Sequence, residues 1–244
     1  MALPRPPAAV VFDMDGLLFD TEALYREAAM TVAASRGHDL PEALFLSLVG
    51  RPWTANRAAL LDHFGAGFAI DAFQADWIRQ FDTIVDGRLA LKPGVLRLLD
   101  TLDALRLPRA IATSSHHSDV RRNLAAHGLA GRFDAVVAHG DYARGKPAPD
   151  PFLHAAARLG VAPEHCLALE DSHNGVRSAA AAGMAVVMVP DLLAPTAEMH
   201  GLCTLVAPDL EQVCDLLLAA SAAPVGRTSG TLPPPARLGG TVQS

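Results

Sequence analysis

Short apolar runs alternate with amphipathic segments through the second half of the chain, and this alternation constrains the fold more than any other feature. The runs at 109–112, 135–138, 166–169 and 185–189 have the length and composition of buried strands. Strands that alternate with helices in units of about 25 residues are typical of parallel sheets with right-handed crossovers. The pattern therefore predicts an α/β fold built on a doubly wound parallel sheet.

An earlier apolar run, Val10-Val11-Phe12, predicts a further buried strand of this sheet. It leads directly into Asp13-Met14-Asp15-Gly16, so two carboxylates and a glycine stand where the strand ends. A buried carboxylate without a partner costs several kcal/mol, and two of them would be a poor continuation of a strand. They fit a strand that ends at an open crevice, where a cation and an anionic substrate meet them. The alternative is that Asp15-Gly16 is only a turn.

The segment between the first strand and the alternating half is helical in pattern. Thr21–Arg36 has apolar residues at helical spacing, and breaks follow at Pro41, at 50–52 and at 65–67. We therefore expect an all-helical insertion over 18–88. The α/β core is then expected to consist of 8–17 and 89–220, with flexible termini at 1–7 and 221–244, where the second is rich in Gly, Pro, Ser and Thr.

Composition limits the classes of function. Half of the 244 residues are hydrophobic and the net charge is −6, which indicates a globular protein without the basic face of a nucleic-acid partner. No apolar run approaches the roughly 18 residues of a membrane span, and Met1–Pro7 lacks the apolar core of a signal peptide. Three widely spaced cysteines suit neither a disulfide framework nor a zinc site. We expect a cytoplasmic monomer or small homo-oligomer.

Polar residues follow four of the predicted strands at the point where each strand ends. They are Asp13 and Asp15 after the first, Thr113, Ser114 and Ser115 after the second, Lys146 after the third, and Glu170 and Asp171 after the fourth. Open α/β sheets bind ligands beyond the carboxyl ends of their strands. Each residue alone could be a helix cap or a solvated loop charge. Their arrangement at one edge of the sheet favours a ligand site.

Electrostatics indicate which ligands this edge would bind. Four carboxylates would crowd together there, and each close like-charge pair costs roughly 4 kcal/mol at 4 Å with an effective dielectric near 20. One lysine cannot offset that cost, whereas Mg²⁺ binds to all-oxygen ligands and leaves positions for waters and a phosphate oxygen. The hydroxyl and amide groups of Thr113-Ser114, next to a helix start, would hold an anion. The sequence therefore predicts phosphoryl chemistry.

Four motifs in this order resemble those of the haloacid dehalogenase superfamily. They are Phe12-Asp13-Met14-Asp15-Gly16, Ile111-Ala112-Thr113-Ser114-Ser115, Gly145-Lys146-Pro147-Ala148-Pro149-Asp150 and Leu169-Glu170-Asp171-Ser172. The resemblance covers about residues 8–220 and is strongest to the phosphatase and beta-phosphoglucomutase-like branch. It implies a Rossmann-like core, and it implies that the helical insertion after the first motif is a mobile cap.

The resemblance also implies the roles of the core residues. Asp13 would be the nucleophile that forms an aspartyl-phosphate, and Asp15 would be the general acid and base. Thr113 and the Ser114 amide would bind the phosphoryl oxygens. Lys146 would neutralise charge and orient Asp13.

The implied cofactor is Mg²⁺, held by Asp13, Asp171 with Glu170 near it, and Asp15 through its backbone carbonyl. True dehalogenases of the superfamily lack an acid at the position of Asp15. Its presence therefore points away from cleavage of carbon–halogen bonds and towards a phosphatase acting on a small phosphorylated metabolite.

The insertion is expected to select the substrate, with Tyr25, Arg51 and Trp53 as candidate contacts. Trp53 could instead pack inside the insertion, as aromatic residues often do. A phosphomutase is the first alternative function. Mutases of this branch have a histidine where Tyr25 stands. They also have several basic residues in the loop after the second helix of the insertion, where this chain has only Arg51. Both differences weaken the mutase alternative. A non-catalytic phospho-acceptor module is the second, but such modules are shorter and lack both an insertion and an acid two residues after the acceptor.

Overall fold

The structure, a computed structural model, describes residues 2–51 and 53–222. Its centre is a six-stranded sheet in the order β3-β2-β1-β4-β5-β6, and every neighbouring pair is parallel. The strands are β1 (Ala9–Phe12), β2 (Arg109–Ala112), β3 (Ala135–Val137), β4 (Cys166–Glu170), β5 (Ala185–Met188) and β6 (Leu205–Val206). The strand order reverses at β1 and β4, and such a point is where doubly wound sheets open a crevice at their carboxyl edge.

Helices follow the strands in the order that the sequence pattern predicts. The first four form the helical insertion that follows β1: α1 (Thr21–Ser35), α2 (Glu42–Leu48), α3 (Trp53–Phe64) and α4 (Ile70–Val85). The others are α5 (Val95–Leu105), α6 (His117–Ala126), α7 (Asp150–Leu159), α8 (His173–Ala181), α9 (Ala197–Leu202) and α10 (Leu210–Ala222), and a 3₁₀ turn lies at Pro163–His165.

Alternate residues of each strand point to opposite faces of the sheet, and helices cover both faces. Val10 and Phe12 of β1 pack in a cluster with α5, α6 and α10. Ala9 and Val11 pack in a second cluster with α7, α8 and α9. Both faces of every central strand are therefore buried, which explains why the strands are continuous apolar runs. The expected doubly wound α/β fold is confirmed.

The four-helix insertion, α1–α4, has apolar clusters of its own. One cluster includes Leu60 and Phe73, and a smaller one contains Leu24 and Phe81. The insertion was expected to begin at residue 18. Leu18 and Phe19, however, are buried in the core cluster around α5, so these two residues pack with the core.

Several elements lie outside the pattern that the sequence analysis used. Neither β6 nor the helices α9 and α10 were predicted; a two-residue edge strand leaves too short an apolar run to detect. Leu3, expected in a flexible lead-in, is 8% exposed and packs against the core because it is apolar. The last helix ends at Ala222, so the expected flexible tail at 221–244 begins within a helix, and its residues 223–244 lie outside the described part.

In the described part of the chain, none of the helices combines the length and the apolar character needed to cross a membrane.

Candidate active site

The carboxyl ends of β1, β2 and β4 bring the polar motifs together. Asp13 follows β1 directly, and its amide donates to the Leu169 carbonyl of β4 at 3.0 Å. Thr113 follows β2, and its amide donates to Val137 of β3 at 3.0 Å. The pairing of β1 with both β2 and β4 thus places the first, second and fourth motifs side by side.

Lys146 connects the third motif to this group from the loop between β3 and α7. Its Nζ donates to Asp13 Oδ1 and to Glu170 Oε1, both at 2.5 Å. The three side chains are 7%, 10% and 0% exposed, so the ion pairs are shielded from water. Burial lowers the pKa of Lys146, but the two carboxylates outweigh it and raise that pKa above its usual value. Lys146 therefore stays charged at any physiological pH.

Glu170 is held by the backbone that follows it. Its Oε2 accepts from the amides of Asp171 and Ser172 at 3.1 and 3.2 Å and from the Ser172 hydroxyl at 3.1 Å. Ser172 in turn caps α8 by accepting from the Gly175 amide at 3.1 Å. Both oxygens of Glu170 are thus engaged within the protein, which fixes the carboxylate that orients Lys146.

Gly175 leaves the space that the Glu170 carboxylate occupies, because a Cβ atom at this position would overlap it. We expect Gly175→Ala to destabilise the protein by about 1–3 kcal/mol through overpacking and to lower activity by displacing Lys146. Gly201→Ala is the matched control, since Gly201 also lies in a helix but has nothing within 4 Å of its Cβ position. Urea unfolding of both variants measures the difference, and equal stabilities would contradict the expectation.

Asp171 faces the turn after β1. A Cβ atom on Gly16 would overlap Asp171 Oδ2, so glycine is needed there, and its φ of +81° is also unfavourable for other residues. Carboxylate oxygens of Asp13, Glu170 and Asp171 lie within 4.8 Å of one another, and all three residues are buried. Burial raises the pKa of Asp171, and the charges of Asp13 and Glu170 raise it further.

Asp15 points to the second motif instead of into this cluster. Its Oδ2 accepts from the Ser115 hydroxyl at 2.6 Å and lies 3.4 Å from the Thr113 hydroxyl. The Ser115 amide donates to Thr113 Oγ1 at 3.0 Å, which locks the loop around the carboxylate. Burial raises the pKa of Asp15 and the hydrogen bond from Ser115 partly opposes that rise. A carboxyl group with a raised pKa is suited to donate a proton near neutral pH.

The residues present fit a divalent cation. Burial raises the pKa of Asp13 well above its usual range even though Lys146 opposes that rise. Asp13 Oδ2 has no hydrogen-bond partner among the described residues. The cluster therefore offers buried oxygens with more negative charge than one lysine neutralises. Such an all-oxygen set suits Mg²⁺.

The three candidates in the four-helix insertion have different surroundings. Tyr25 is half-buried and stacks on Phe81 with ring centroids 3.7 Å apart. Burial raises the pKa of the Tyr25 hydroxyl, and the nearby charge of Asp15 raises this pKa further. Arg51 is exposed, and its guanidinium donates to the Ser47 carbonyl at 3.2 Å. Trp53 packs against the apolar cluster of the insertion, which agrees with the alternative of a structural side chain.

The loop between α2 and α3 contacts the core beside the fourth motif. Asn174 at the start of α8 donates to the Gly50 carbonyl at 2.6 Å, and the Cβ position of Gly50 lies 3.2 Å from Ser172 Cβ. The loop that carries Arg51 is thereby held next to the residues that fix Glu170. The insertion therefore contacts the core beside the fourth motif.

Two further residues at this edge were given no specific role from the sequence. Ser115 holds Asp15, and its position in the Thr-Ser-Ser run at the end of a strand was the signal that could have identified it. Glu22 opens α1 near Asp15 and Asp191, and burial together with these two charges raises its pKa to about 8. No pattern in the sequence places Glu22 beside the site.

Comparisons with known proteins agree with this geometry. The profile of a family described as haloacid dehalogenase-like hydrolase matches residues 7–183. The chain is 38% identical over 187 residues to "Probable pseudouridine-5'-phosphatase" of Drosophila melanogaster, covering 74% of this chain and 80% of that protein. It is 33% identical over 176 residues to "Phosphorylated carbohydrates phosphatase" of Thermotoga maritima, covering 72% and 82%. The crystal structure of CbbY from Rhodobacter sphaeroides in complex with phosphate superposes with a TM-score of 0.71 at 27% identity, covering 85% of this chain and 96% of that one.

Proposed function

The chain belongs to the haloacid dehalogenase-like hydrolases, and from this premise we propose that it is a Mg²⁺-dependent phosphatase that hydrolyses a small phosphorylated metabolite through an aspartyl-phosphate on Asp13. The observation that carries the proposal is the pair of carboxylates after β1. Asp13 is held by Lys146 through one oxygen, and Asp15 is held by Ser115 two residues away. These contacts support Asp13 as the nucleophile and Asp15 as the proton donor.

The reaction has two displacements at phosphorus. In the first, Asp13 Oδ2 bonds to phosphorus while the bond to the substrate's leaving oxygen breaks and Asp15 gives that oxygen a proton. In the second, Asp15 takes a proton from a water whose oxygen bonds to phosphorus, and the bond to Asp13 breaks. Inorganic phosphate leaves and both carboxyl groups return to their starting states.

Charge on the transferring phosphoryl group is neutralised by fixed groups around it. Thr113 and the Ser114 amide bind its oxygens, and Lys146 neutralises the charge that returns to Asp13. Mg²⁺ bound by Asp13, Asp171 and the Asp15 backbone carbonyl would supply further positive charge to a phosphoryl oxygen. Glu170 was also predicted as a ligand; its contacts favour a role in orienting Lys146.

The four-helix insertion acts as the cap of the proposed enzyme, and it selects the leaving group. Tyr25 and Arg51 are the proposed contacts, because Tyr25 lies near Asp15 and Arg51 is an exposed cation on the loop held over the fourth motif. A sugar phosphate or similar metabolite is the proposed substrate class, in line with the phosphatases to which the chain is similar. Tyr25 and Trp53 both pack against the apolar cluster of the insertion, but Tyr25 also has Asp15 nearby, so Trp53 stays the weaker candidate.

The proposed surroundings of the enzyme follow from its composition. The net charge of −6 argues against a nucleic-acid partner, and no partner other than the metabolite is needed for the reaction. Cys166, Cys203 and Cys214 are free thiols, as expected in a reducing cytoplasm. We place the protein there as a monomer or small homo-oligomer.

A phosphate-release assay with a panel of phosphorylated metabolites tests the proposal. We expect release that requires Mg²⁺ and is lost when the ion is removed with EDTA, and the order of rates will identify the substrate class. Conversion of a hexose 1-phosphate to its 6-phosphate in the presence of a bisphosphate, without release, would replace the phosphatase with the phosphomutase. Stable phosphorylation of Asp13 without turnover would indicate a phospho-acceptor module.

A further inference from the structure

The chain contains only two lysines, and both lie at the carboxyl edge of the sheet. Lys146 is part of the site described above. Lys92, just before α5, donates to Asp191 Oδ1 at 2.7 Å, and Asp20 is a second, longer partner at 3.6 Å. Asp191 follows β5, the strand next to β4, and its side chain is 10% exposed.

The second oxygen of Asp191 has no partner among the described residues. Asp191 Oδ2 is buried and forms no hydrogen bond. It lies 3.3 Å from the Cβ position of Gly16, the same point that Asp171 Oδ2 would overlap. An acceptor left without a donor in the protein interior is costly, so its place needs an explanation.

The groups that face this oxygen are mostly acidic. Lys92 donates to the other oxygen, Asp191 Oδ1. Glu22, Asp15 and Asp171 are carboxylates near the same turn. No side chain among the described residues donates to Oδ2, so a donor beyond them, such as a bound water, would complete its hydrogen bonding. Water on a metal ion held by Asp171 would be a strong donor, and Asp171 Oδ2 and Asp191 Oδ2 both lie near the Cβ position of Gly16.

We propose that Asp191 accepts a hydrogen bond from a water on the ion bound by Asp13 and Asp171, and that Lys92 holds Asp191 in place for this contact. Asp191 is thus a positioning residue outside the ligand set, and its effect is on the affinity for Mg²⁺. Residues of this kind contribute strongly to metal sites, since their loss typically costs about 10–100-fold in affinity. This inference rests on the proposed Mg²⁺ dependence of the enzyme.

Asp191→Asn separates this contact from the ion pair with Lys92. The amide oxygen can still accept from Lys92, while the NH₂ group at the place of Oδ2 cannot accept from a water. We expect isothermal titration of the purified protein with MgCl₂, without substrate, to give a dissociation constant about 10-fold higher for Asp191→Asn than for the unmodified chain. Asp20→Asn is the matched control, because it also removes a carboxylate beside Lys92, and we expect its affinity to stay within about twofold.

The results separate the proposed metal dependence from the proposed role of Asp191. A chain that binds no Mg²⁺ at all would overturn the proposed metal dependence, whereas normal binding by the chain and by Asp191→Asn would overturn only the role of Asp191. Equal losses in Asp191→Asn and Asp20→Asn would assign the effect to charge near Lys92 and also overturn it. Urea unfolding without Mg²⁺ checks that the variant is folded, and Asp191→Ser repeats the titration if it is not.

Discussion

Asp13→Asn is expected to abolish Mg²⁺-dependent phosphate release, with a fall in kcat of about 10⁴-fold or more, the order of effect found when a covalent nucleophile is removed. The amide has nearly the shape of the carboxylate, so the loop after β1 keeps its place, but the amide oxygen is a poor nucleophile. Lys146 can still donate to that oxygen and retains Glu170 as its second partner. We therefore expect the variant to stay folded, and urea unfolding of the variant checks this point.

Asp15→Ala is the companion variant, because it separates the two displacements. The variant is supplied with an acyl phosphate as the phosphoryl donor, because its carboxylate leaving group needs no proton from Asp15. We therefore expect Asp13 in this variant to become phosphorylated. The second displacement lacks its base, and the phosphorylated protein should accumulate and be visible by intact-protein mass spectrometry. Asp13→Asn should show no such species. Normal phosphate release by Asp13→Asn, or no difference between the two variants, would contradict the aspartyl-phosphate route.

The features that could be predicted from sequence are those carried by contiguous residues. Each central strand is buried on both faces, so it appears as an apolar run, and each motif begins where such a run ends. Parallel pairing then brings Asp13, Thr113 and Asp171 to one edge without any knowledge of side-chain geometry. This reasoning found the fold and assembled the acidic cluster with its lysine.

The features that could not be predicted depend on packing between distant segments. Strand β6 has two residues and, among the described strands, pairs with β5 alone, so it is recognised by its pairing and not by its composition. The contact of Lys92 with Asp191 spans 99 positions, and neither residue lies in a recognisable motif. Trp53 illustrates the opposite case, since its residue type suggested a substrate contact, whereas its packing against the apolar cluster of the insertion could not be read from the sequence.

Lys146→Met is expected to lower both activity and stability. Lys146 is the cation between two buried carboxylates, and its removal leaves Asp13 and Glu170 without a partner of opposite charge. Breaking a buried ion pair in this way destabilises a protein by about 3–5 kcal/mol. We expect that loss in urea unfolding at pH 8 without Mg²⁺, together with a fall in kcat of about 10³-fold, because the charge on Asp13 is no longer neutralised during phosphoryl transfer.

The dependence on pH distinguishes this effect from simple loss of packing. The pKa of Lys146 is raised, so the lysine itself stays fully protonated below about pH 10. Its own titration therefore adds no pH dependence to stability between pH 5 and 8. In the variant, the pKa of Asp13 rises further because the opposing charge of Lys146 is gone, and protonation in the folded state then becomes favourable as pH falls. The stability difference from the unmodified chain should therefore narrow from pH 8 to pH 5. Lys92→Met, which removes a less buried lysine, should lose less stability at pH 8. If the stability difference for Lys146→Met did not change with pH, the unpaired carboxylates would not be its cause.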